Sequence, residues 1–167
     1  MYYKTELDSP LGRLTMVSDG SSIVGLWMEG QKQFHPEKWM HAAQGDNLPV
    51  MQLGIKWLEC YFSGSTSLPQ LPPLAPAGTD FQMEVWQILL QIPYGQTVTY
   101  GQISNILAER RLDRGMSAQA VGTAVGKNPI SIMIPCHRVV GTGINPGGYD
   151  GGLERKHILL RIERGTL

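Results

Sequence analysis

The chain has 167 residues, with 14 basic and 14 acidic side chains and only two cysteines. This length allows one full core or two small domains that share an interface, and neither a disulfide nor a metal is needed to reach stability. A net charge of zero argues against a protein that grips nucleic acid mainly by bulk electrostatics, and two cysteines without a C-x-x-C pair indicate neither a disulfide framework nor a thiolate zinc site.

The N-terminal stretch "MYYKTELDSPLGRL" lacks the basic segment and apolar segment of a secretion signal. No stretch approaches the roughly 18 apolar residues of a membrane span. We therefore expect a cytoplasmic protein, or a nuclear one in a eukaryotic cell, that folds alone as a monomer without membrane association. Four scattered histidines and two cysteines form no ligand cluster, so neither a metal nor an organic cofactor is expected.

The first third of the chain predicts an antiparallel meander followed by a helix. "YYKTELDSPLGRLTMVSDGSSIVGLWMEG" contains short β-like runs separated by turn signals at 9–12 and 19–20. "NLPVMQLGIKWLECYFSG" then predicts a helix that ends at Gly64. Cys60 lies in that helix, and because free cysteine is among the most buried residue types, we expect it to be packed and inert.

A proline-rich segment predicts a domain boundary. "SGSTSLPQLPPLAPAGTD" is rich in Ser, Pro and Gly and has too many prolines for a helix or a central strand, so 63–79 is interpreted as a linker. The predicted domains are then 1–77, which includes most of the linker, and 78–167. The first carries five basic and seven acidic residues, and the second carries nine and seven.

Downstream of the linker the sequence predicts helices with clear start signals. Thr79 and Gln82 form a capping box before "MEVWQILL", and Thr99 and Gln102 form a second one before "ISNILAERR". Ser117 can cap "AQAVGTAVGKNP", so two short helices joined by a turn indicate a helix-turn-helix. The turn, "AERRLDRG", concentrates three arginines, and a charge run of this kind is usually a solvated loop.

The helix after Ser117 has almost no side-chain bulk, since its residues include Ala118, Ala120, Gly122, Thr123, Ala124 and Gly126. One interpretation is tight packing between two core helices. The other is close approach to a narrow, negatively charged surface such as a DNA groove, where backbone amides and the helix N-terminus reach phosphates. The segment alone leaves both interpretations open.

A cysteine stands beside a histidine after the apolar run in "SIMIPCHRVVGTG". "ISIMI" predicts a short buried strand that Pro135 ends, so Cys136 and His137 would lie where a strand meets a loop, facing a cleft. An ordinary thiol has a pKa of about 8.5 and is mostly protonated at neutral pH, and a neighbouring imidazole raises its thiolate fraction. The same dipeptide packed in a core would be inert.

The last helix supplies a possible partner for the histidine. "GGLERKHILLRIERG" places Glu163 on the face that Leu159 and Ile162 turn partly toward the core. The helix dipole disfavours a carboxylate near a helix C-terminus, so Glu163 needs a cationic or hydrogen-bonding partner, and orienting His137 would supply one. The alternative is a frayed surface residue near the chain end.

The segments "PYGQTVTYGQIS", "IPCHRVVG" and "GGYDGGLERKHILL" resemble the O6-alkylguanine-DNA alkyltransferase family, also called methylated-DNA–protein-cysteine methyltransferases. The resemblance runs from about Phe81 to Gly165 and includes the family's signature around its acceptor cysteine. "SPLG" and "LECYFSG" agree more loosely with the family's companion domain. The implied fold is α/β (α+β), with a small RNase-H-like N-terminal α/β domain followed by a mostly helical domain that contains the helix-turn-helix. The implied partner is double-stranded DNA containing alkylated guanine, bound through its minor groove.

The resemblance also implies a role for each site residue. Cys136 would take the alkyl group from O6 of guanine in a single turnover, with His137 as its base through a water and Glu163 orienting His137. Asn128 would brace the site, and Tyr100 would donate a proton to N3 of the departing guanine. The residues implied to line or support the base pocket are Val139, Tyr149, Asp150 and Lys156. The implied DNA contacts are Arg110, Arg111, Arg114, Ala118, Gln119, Gly122, Thr123 and Arg138.

Two positions depart from the family's pattern. Gln119 stands where the family usually has an arginine that fills the gap left by the flipped base. Glutamine can hydrogen-bond an orphaned cytosine but carries no charge, so we expect weaker flipping or compensation by the arginines of the preceding loop. Asp150 stands where many relatives have a serine beside guanine O6, and its carboxylate would either repel the developing negative charge or, pointing outward, change nothing.

Three other classes of protein would use part of this pattern. A non-catalytic alkyltransferase-like protein would bind lesions, but such proteins usually lack the acceptor cysteine that Cys136 supplies here. A helix-turn-helix regulator would leave Cys136, His137 and Glu163 without a role. A cysteine hydrolase would turn over an ester or an amide, whereas the thioether product of alkyl transfer offers water no carbonyl to attack.

Overall fold

The computed structural model describes residues 1–111 and 117–166, which form an N-terminal sheet domain and a helical C-terminal part. The sheet has the order β3-β2-β1-β4. β1, β2 and β3 are antiparallel neighbours, and β4 runs parallel to β1. The bounds are β1 Tyr3–Ser9, β2 Gly12–Ser18, β3 Ile23–Met28 and β4 Ala43–Gln44, with a 3-10 helix at Pro36–Trp39 and helix α1 at Pro49–Phe62.

The predicted meander is confirmed, and its turns are held by the predicted residues. Gly12 has φ +94°, a conformation that residues with a Cβ rarely adopt. The Ser9 hydroxyl accepts from the Leu11 amide at 3.1 Å and donates to the Gly12 carbonyl at 2.6 Å. In the next turn, Asp19 Oδ1 accepts from the Ser22 amide at 2.8 Å. Both turns therefore satisfy their backbone groups locally.

Helix α1 covers one face of the sheet and packs against β1, β2 and β3. Its buried residues are Val50, Met51, Gly54, Trp57, Leu58 and Tyr61. Gly54 allows close contact, because a Cβ there would lie only 2.7 Å from Met16 Sδ. Cys60 lies outside this buried set and is partly exposed, so the prediction of a packed cysteine is wrong. The helix buries its aromatic face and turns the thiol aside.

The proline-rich segment has no helix or strand element between Phe62 and Asp80, as its sequence predicts. It is nevertheless attached to the sheet. The Ile23 amide donates to the Pro73 carbonyl at 2.8 Å, and the Ala75 amide donates to the Ile23 carbonyl at 2.8 Å. The segment therefore continues the edge of β3 while it carries the chain from α1 to the C-terminal part.

The C-terminal part is mostly helical. Its helices are α2 Asp80–Leu89, α3 Tyr100–Arg111, α4 Ala118–Gly126 and α5 Leu153–Arg164. Two-residue strands, β5 (Val98–Thr99) and β6 (Val139–Val140), pair in parallel, and a 3-10 turn at Cys136–Arg138 leads directly into β6. Among the described residues, no helix is both long and apolar enough to cross a lipid bilayer.

The predicted helix starts are confirmed. At α2, the Gln82 amide donates to Thr79 Oγ1 at 3.2 Å while the Thr79 amide donates to Gln82 Oε1 at 3.0 Å. Thr99 and Gln102 make the same reciprocal pair at α3, at 3.1 and 2.8 Å. At α4, Ser117 Oγ accepts from the Ala120 amide at 3.0 Å. Side chains thus satisfy backbone donors that each helix would otherwise leave unpaired.

The strand predicted for "ISIMI" is wrong, although the segment is buried as expected. Only Ile130 forms a bridge, with Leu26, and Ile132 has a positive φ of 72°. The Asn128 side chain explains the turn. Its Oδ1 accepts from the Ile130 amide at 2.9 Å and its Nδ2 donates to the Ile134 carbonyl at 2.8 Å. Local bonds to one amide side chain therefore replace a strand ladder.

One continuous cluster of buried side chains runs through both halves of the chain. Polar contacts also join them. Gln31 Nε2 donates to Ser131 Oγ at 2.9 Å inside the protein. Arg155 of α5 donates to the Leu11 carbonyl at 3.1 Å and to the Glu29 carbonyl at 2.8 Å. The sheet domain is therefore part of the surroundings of the C-terminal helices rather than a separate body.

Candidate active site

A small cavity lies between α4 and the loops that flank the Cys136–Arg138 turn. Its volume is about 130 Å³, and its lining residues are Tyr100, Gly122, Val125, Gly126, Cys136, Gly148, Tyr149 and Asp150. Four of these side chains, those of Tyr100, Cys136, Tyr149 and Asp150, can take part in proton transfer or nucleophilic attack. The cavity therefore brings together residues that lie far apart in the sequence.

Cys136 is 94 % buried by area, with 6 % of its surface exposed, yet its side chain borders this cavity. Burial raises the pKa of the Cys136 thiol to about 11, against the lowering effects of hydrogen bonding from Asn128 and of the Lys156 charge. At neutral pH the sulfur is therefore a thiol, and it needs a base before it can act as a nucleophile. Asn128 is itself buried and fixed by its two backbone bonds.

His137 and Glu163 form a buried pair, with His137 Nε2 bonded to Glu163 Oε2. Because a carboxylate can only accept, Nε2 carries the proton and Nδ1 keeps a free lone pair. Among the described residues, Nδ1 has no hydrogen-bond partner. Burial lowers the pKa of His137, although the Glu163 charge opposes the shift. The imidazole is thus neutral in the resting protein, with a basic atom available.

Glu163 collects four donors. Oε2 accepts from the Tyr61 hydroxyl at 2.6 Å as well as from His137, and Oε1 accepts from Arg138 Nε at 2.7 Å and from the Gly95 amide at 3.0 Å. Burial alone would raise the pKa of Glu163, but hydrogen bonds from His137 and Tyr61 and the Arg138 charge lower it below its ordinary value. The carboxylate is therefore ionised throughout the physiological range. The frayed, exposed alternative for Glu163 is wrong.

Lys156 is fully buried and braces the loop that closes the cavity. Its Nζ donates to the Val139 carbonyl at 2.5 Å and to the Gly148 carbonyl at 3.0 Å. Burial lowers the pKa of Lys156 to about 8. The Tyr149 hydroxyl is enclosed beside Cys136, and burial and the nearby Cys136 raise its pKa.

Tyr100, the first residue of α3, stands at the mouth of the cavity, where its hydroxyl donates to the Gly148 carbonyl at 3.4 Å. Burial raises the pKa of Tyr100, so the phenol keeps its proton at neutral pH. Gly147 makes room for it, because a Cβ at this position would lie 2.8 Å from the Tyr100 hydroxyl and the residue has φ +71°. A glycine is therefore required beside the phenol.

Asp150 turns toward the sheet domain. Its Oδ2 accepts from the backbone amide of Gln33 at 3.1 Å, although the residue still borders the cavity. The carboxylate lies close enough to Cys136 to raise the pKa of the thiol, as a smaller cause than burial. The Asp150 hydrogen bond therefore points away from the cavity, as one alternative expected. Its charge still lies close enough to the sulfur to disfavour the thiolate, as the other alternative expected.

A second concave surface continues outward from the cavity, sharing Tyr100, Gly122 and Gly148 with it. The remaining residues of this surface are Ala118, Gln119 and Thr123, all exposed on α4. The rest of α4 is packed. Val121, Ala124 and Val125 are buried, and the Ala124 carbonyl accepts from Trp86 Nε1 at 2.9 Å. Small residues on α4 thus serve both interpretations, close core packing on one side and an open surface on the other.

The arginines proposed as DNA contacts occupy different surroundings. Arg110 is exposed at the end of α3. Arg111 is exposed but pairs with Glu84 at 2.6 Å. Arg114 lies outside the described residues. Arg138 is buried, bonded to Glu163 and to the Ile92 carbonyl at 2.8 Å. Its expected contact with DNA does not fit this position, because the guanidinium is enclosed and already occupied.

Sequence reasoning missed Tyr61, Gly95 and Arg138 as partners of Glu163. Tyr61 lies at helical spacing with Trp57 and Leu58, so its pattern predicts an ordinary core aromatic, and no local signal marks its hydroxyl. The described residues also contain no group of three or more His, Cys, Asp or Glu side chains that could hold a metal ion.

Comparisons with known proteins cover nearly the whole chain. The family described as 6-O-methylguanine DNA methyltransferase, DNA binding domain, matches residues 80–165, and the corresponding ribonuclease-like domain matches residues 1–73. A methylated-DNA–protein-cysteine methyltransferase of Haemophilus influenzae is 42% identical over 97% of this chain and 86% of its own length. One from Methanosarcina barkeri is 38% identical over 100% of this chain and 99% of its own. The crystal structure of Mycobacterium tuberculosis OGT in complex with DNA aligns with a TM-score of 0.81 at 38% identity, covering 99% of this chain and 93% of that one.

Proposed function

Because the chain belongs to the 6-O-methylguanine DNA methyltransferase family, we propose that it repairs DNA by moving the alkyl group of O6-alkylguanine to its own Cys136 in a single turnover. The observation that carries this proposal is the cavity that Cys136 and Tyr100 share, together with the buried His137–Glu163 pair that begins at the next residue of the chain. A nucleophile and an acid then border one small cavity, and the residue after the nucleophile supplies a base.

Activation begins from the neutral thiol. The Cys136 proton passes through a water to Nδ1 of His137. The Nε2 proton of His137 stays on the nitrogen, hydrogen-bonded to Glu163. Glu163 stays ionised and stabilises the imidazolium that forms. Asn128 and the Lys156 charge favour the thiolate, opposing the effect of burial. The sulfur is thus ionised only when its proton has moved to His137.

Alkyl transfer is a displacement at an sp³ carbon. The sulfur–carbon bond forms, the carbon–O6 bond breaks, and its electron pair enters the guanine ring, where Tyr100 protonates N3. Neutral guanine remains in the DNA. The imidazolium proton of His137 then returns to Tyr100 through solvent, which restores both side chains and leaves Cys136 as a thioether. Water has no electrophilic carbonyl to attack in that product, so the protein reacts once.

DNA binding is assigned to α3 and α4 as a helix-turn-helix. The exposed α4 residues Ala118, Gln119 and Thr123 are small or uncharged, and half-buried Gly122 continues their surface into the cavity, which supports insertion into a minor groove about 6 Å wide. The target guanine must leave the base stack to reach Cys136, at a cost of a few kcal/mol that is smaller for a damaged pair. Gln119 would fill the gap that it leaves.

Phosphate contacts are assigned first to Arg110. It is exposed at the end of α3, whereas Arg111 already pairs with Glu84. Arg114, in the segment outside the described residues, stays a prediction from sequence. We also keep the division into 1–77 and 78–167 as a proposal, supported by family matches that end at 73 and begin at 80.

The test is covalent transfer. Incubation with duplex DNA carrying O6-methylguanine is expected to add about 14 Da, one methyl in place of hydrogen, to the protein. Cys136→Ala abolishes the gain and the control Cys60→Ala does not. Binding of the duplex without any gain in mass contradicts the proposal and favours a lesion-binding protein that recruits other repair factors.

A further inference from the structure

We propose that Tyr61, which belongs to helix α1 of the sheet domain, is a positioning residue for the base His137 and acts through Glu163. The inference rests on the proposed alkyl transfer, because it assigns Tyr61 a part in that reaction. It gives the N-terminal half of the chain a direct share in the active site.

The contacts of Tyr61 are those of a fixed donor. Its side chain is fully buried, and its hydroxyl donates to Glu163 Oε2 at 2.6 Å and lies 3.4 Å from His137 Nε2. Its ring stacks on Trp57 with a centroid distance of 5.3 Å and meets His137 edge-on at 6.4 Å. These ring contacts hold the aromatic ring, and with it the hydroxyl oxygen, in place.

Tyr61 and His137 share a single carboxylate oxygen. Arg138 and Gly95 both bond the other oxygen, Oε1, and fix only that end of the group. The Tyr61 hydroxyl therefore supplies the second anchor that sets the direction in which Oε2 faces the imidazole. Since Nε2 is bonded to that oxygen, the orientation of the whole ring, and hence of Nδ1, depends on it.

The hydrogen bond from Tyr61 also weakens the effect of the Glu163 charge on His137. A donor on Oε2 withdraws electron density from the carboxylate and weakens its pull on the Nε2 proton, so the imidazole stays neutral to lower pH. Burial and the Glu163 charge hold the pKa of Tyr61 far above its ordinary value, which keeps the hydroxyl a donor at every working pH. Among the described residues, the titratable or charged groups that act on His137 or contact it are Tyr61, Arg138, Lys156 and Glu163. Cys136 precedes it in the chain, and Tyr94 lies near the same Glu163 and Arg138.

Tyr94 provides a matched control. It is a second tyrosine beside Tyr61, with the two ring centroids 6.1 Å apart. Its hydroxyl donates to the Ile162 carbonyl at 3.4 Å and not to Glu163. Tyr61→Phe and Tyr94→Phe therefore remove the same atom from neighbouring rings, and only the first touches the carboxylate.

The experiment measures single-turnover methyl transfer from an O6-methylguanine duplex at saturating protein between pH 5 and 9, together with DNA affinity. Tyr61→Phe is expected to lower the transfer rate constant about 10- to 100-fold, as small misplacements of reacting groups do, while the dissociation constant for DNA stays within about twofold. The acid limb of the rate profile moves to higher pH, because His137 is protonated more readily. Tyr94→Phe keeps the wild-type rate and profile.

A double-mutant cycle tests the route of the effect. In a Glu163→Gln background, Tyr61→Phe is expected to have little further effect on the transfer rate. Equal effects of Tyr61→Phe in both backgrounds, or a wild-type rate and pH profile in Tyr61→Phe, overturn the inference.

His137 titration by NMR decides the matter separately from alkyl transfer. Tyr61→Phe is expected to raise the midpoint of the His137 titration. Replacing Tyr61 by 3-fluorotyrosine, a stronger donor that keeps the ring, is expected to lower it. The fluorotyrosine protein provides the test if Tyr61→Phe does not fold. Unchanged midpoints overturn the inference even if transfer occurs. Shifted midpoints in a protein that transfers no methyl group contradict the proposed function and leave the control of His137 by Tyr61 supported.

Discussion

Cys136 combines a buried sulfur with a pKa raised by that burial, so its reactivity toward ordinary reagents should be low without substrate. The surrounding groups oppose one another: Asn128 and Lys156 favour the thiolate, while burial and the Asp150 charge disfavour it. The neutral form prevails until a base takes the proton. The resting protein is therefore protected from casual alkylation.

Iodoacetamide should distinguish the two cysteines. At pH 8 we expect label on the partly exposed Cys60 well before Cys136, and labelling of Cys136 should rise steeply only as the pH passes from 9 toward its pKa of about 11. Peptide mass mapping across pH gives the two rates in one sample, with Cys60 as the internal control. Fast labelling of Cys136 at pH 7 would contradict the thiol form.

The lowered pKa of Glu163 predicts that the folded protein loses stability in acid. Its pKa is lowered below the ordinary 4.5 on folding, so its contribution is fully present above pH 4.5 and is lost as the pH falls toward the lowered pKa. At pH 7, Glu163→Gln should reduce the free energy of unfolding by about 3 kcal/mol, because Arg138 loses its buried partner.

Urea unfolding at pH 7 and pH 3 measures this difference, which should shrink at the lower pH as the wild-type carboxylate gains a proton in the unfolded state. Glu154→Gln, at an exposed position of the same helix, is the control and should have little effect. A Glu163→Gln difference that is equally large at both pH values argues against a lowered pKa.

At the scale of elements, short sequence motifs correctly predicted the helix starts and turns that are held by hydrogen bonds between neighbouring residues. The capping boxes at Thr79 and Thr99 and the turn at Gly12 were all predictable, since each involves residues within a few positions of one another. The strand expected at Ile130 failed because apolar runs predict burial and not conformation, and the Asn128 side chain turns the backbone there. The split character of α4 was also undecidable, since small residues suit a core and a groove alike.

The end of α3 carries a prediction about DNA binding. Arg110→Ala should weaken binding to any duplex and reduce the slope of log affinity against log salt by about one. Arg111→Ala should change that slope less, because its guanidinium is engaged by Glu84, and should instead lower stability slightly.

Fluorescence anisotropy with undamaged duplex at several salt concentrations measures the slope. Arg13→Ala, on strand β2, is the matched control and should leave it unchanged. Equal slopes for wild type and Arg110→Ala would remove Arg110 from the contact surface.

At the scale of the whole molecule, the site depends on pairs that lie about a hundred residues apart. Tyr61 meets Glu163, Gln31 meets Ser131 and Gln33 meets Asp150, and in each case the sheet domain contacts the C-terminal part. The resemblance to a family implied the nucleophile, base and acid, but no sequence pattern marks a tyrosine on α1 as a neighbour of a carboxylate on α5. Such pairings are set by packing, which the sequence expresses only through the complete fold.

Cooperative unfolding follows from these contacts. Arg155→Met, which removes the bonds to the Leu11 and Glu29 carbonyls, should lower the free energy of unfolding by about 1–3 kcal/mol. Urea unfolding followed by tryptophan fluorescence and by circular dichroism should give coincident transitions in the wild type. Arg161→Met, at an exposed position of α5, is the control. Separate transitions for the two signals would show that the halves unfold independently.

The exposed stretch at Gly64, Thr66 and Ser67 follows α1 directly and precedes the part that joins the edge of β3. A nick placed there would leave α1 on one fragment and the sulfur on the other. On the proposed chemistry, a methyl group would then be captured efficiently only where the two fragments meet again, and the thioether would persist after they part. A thioether on Cys136 would therefore show, after the fragments had separated, that they had once been in contact.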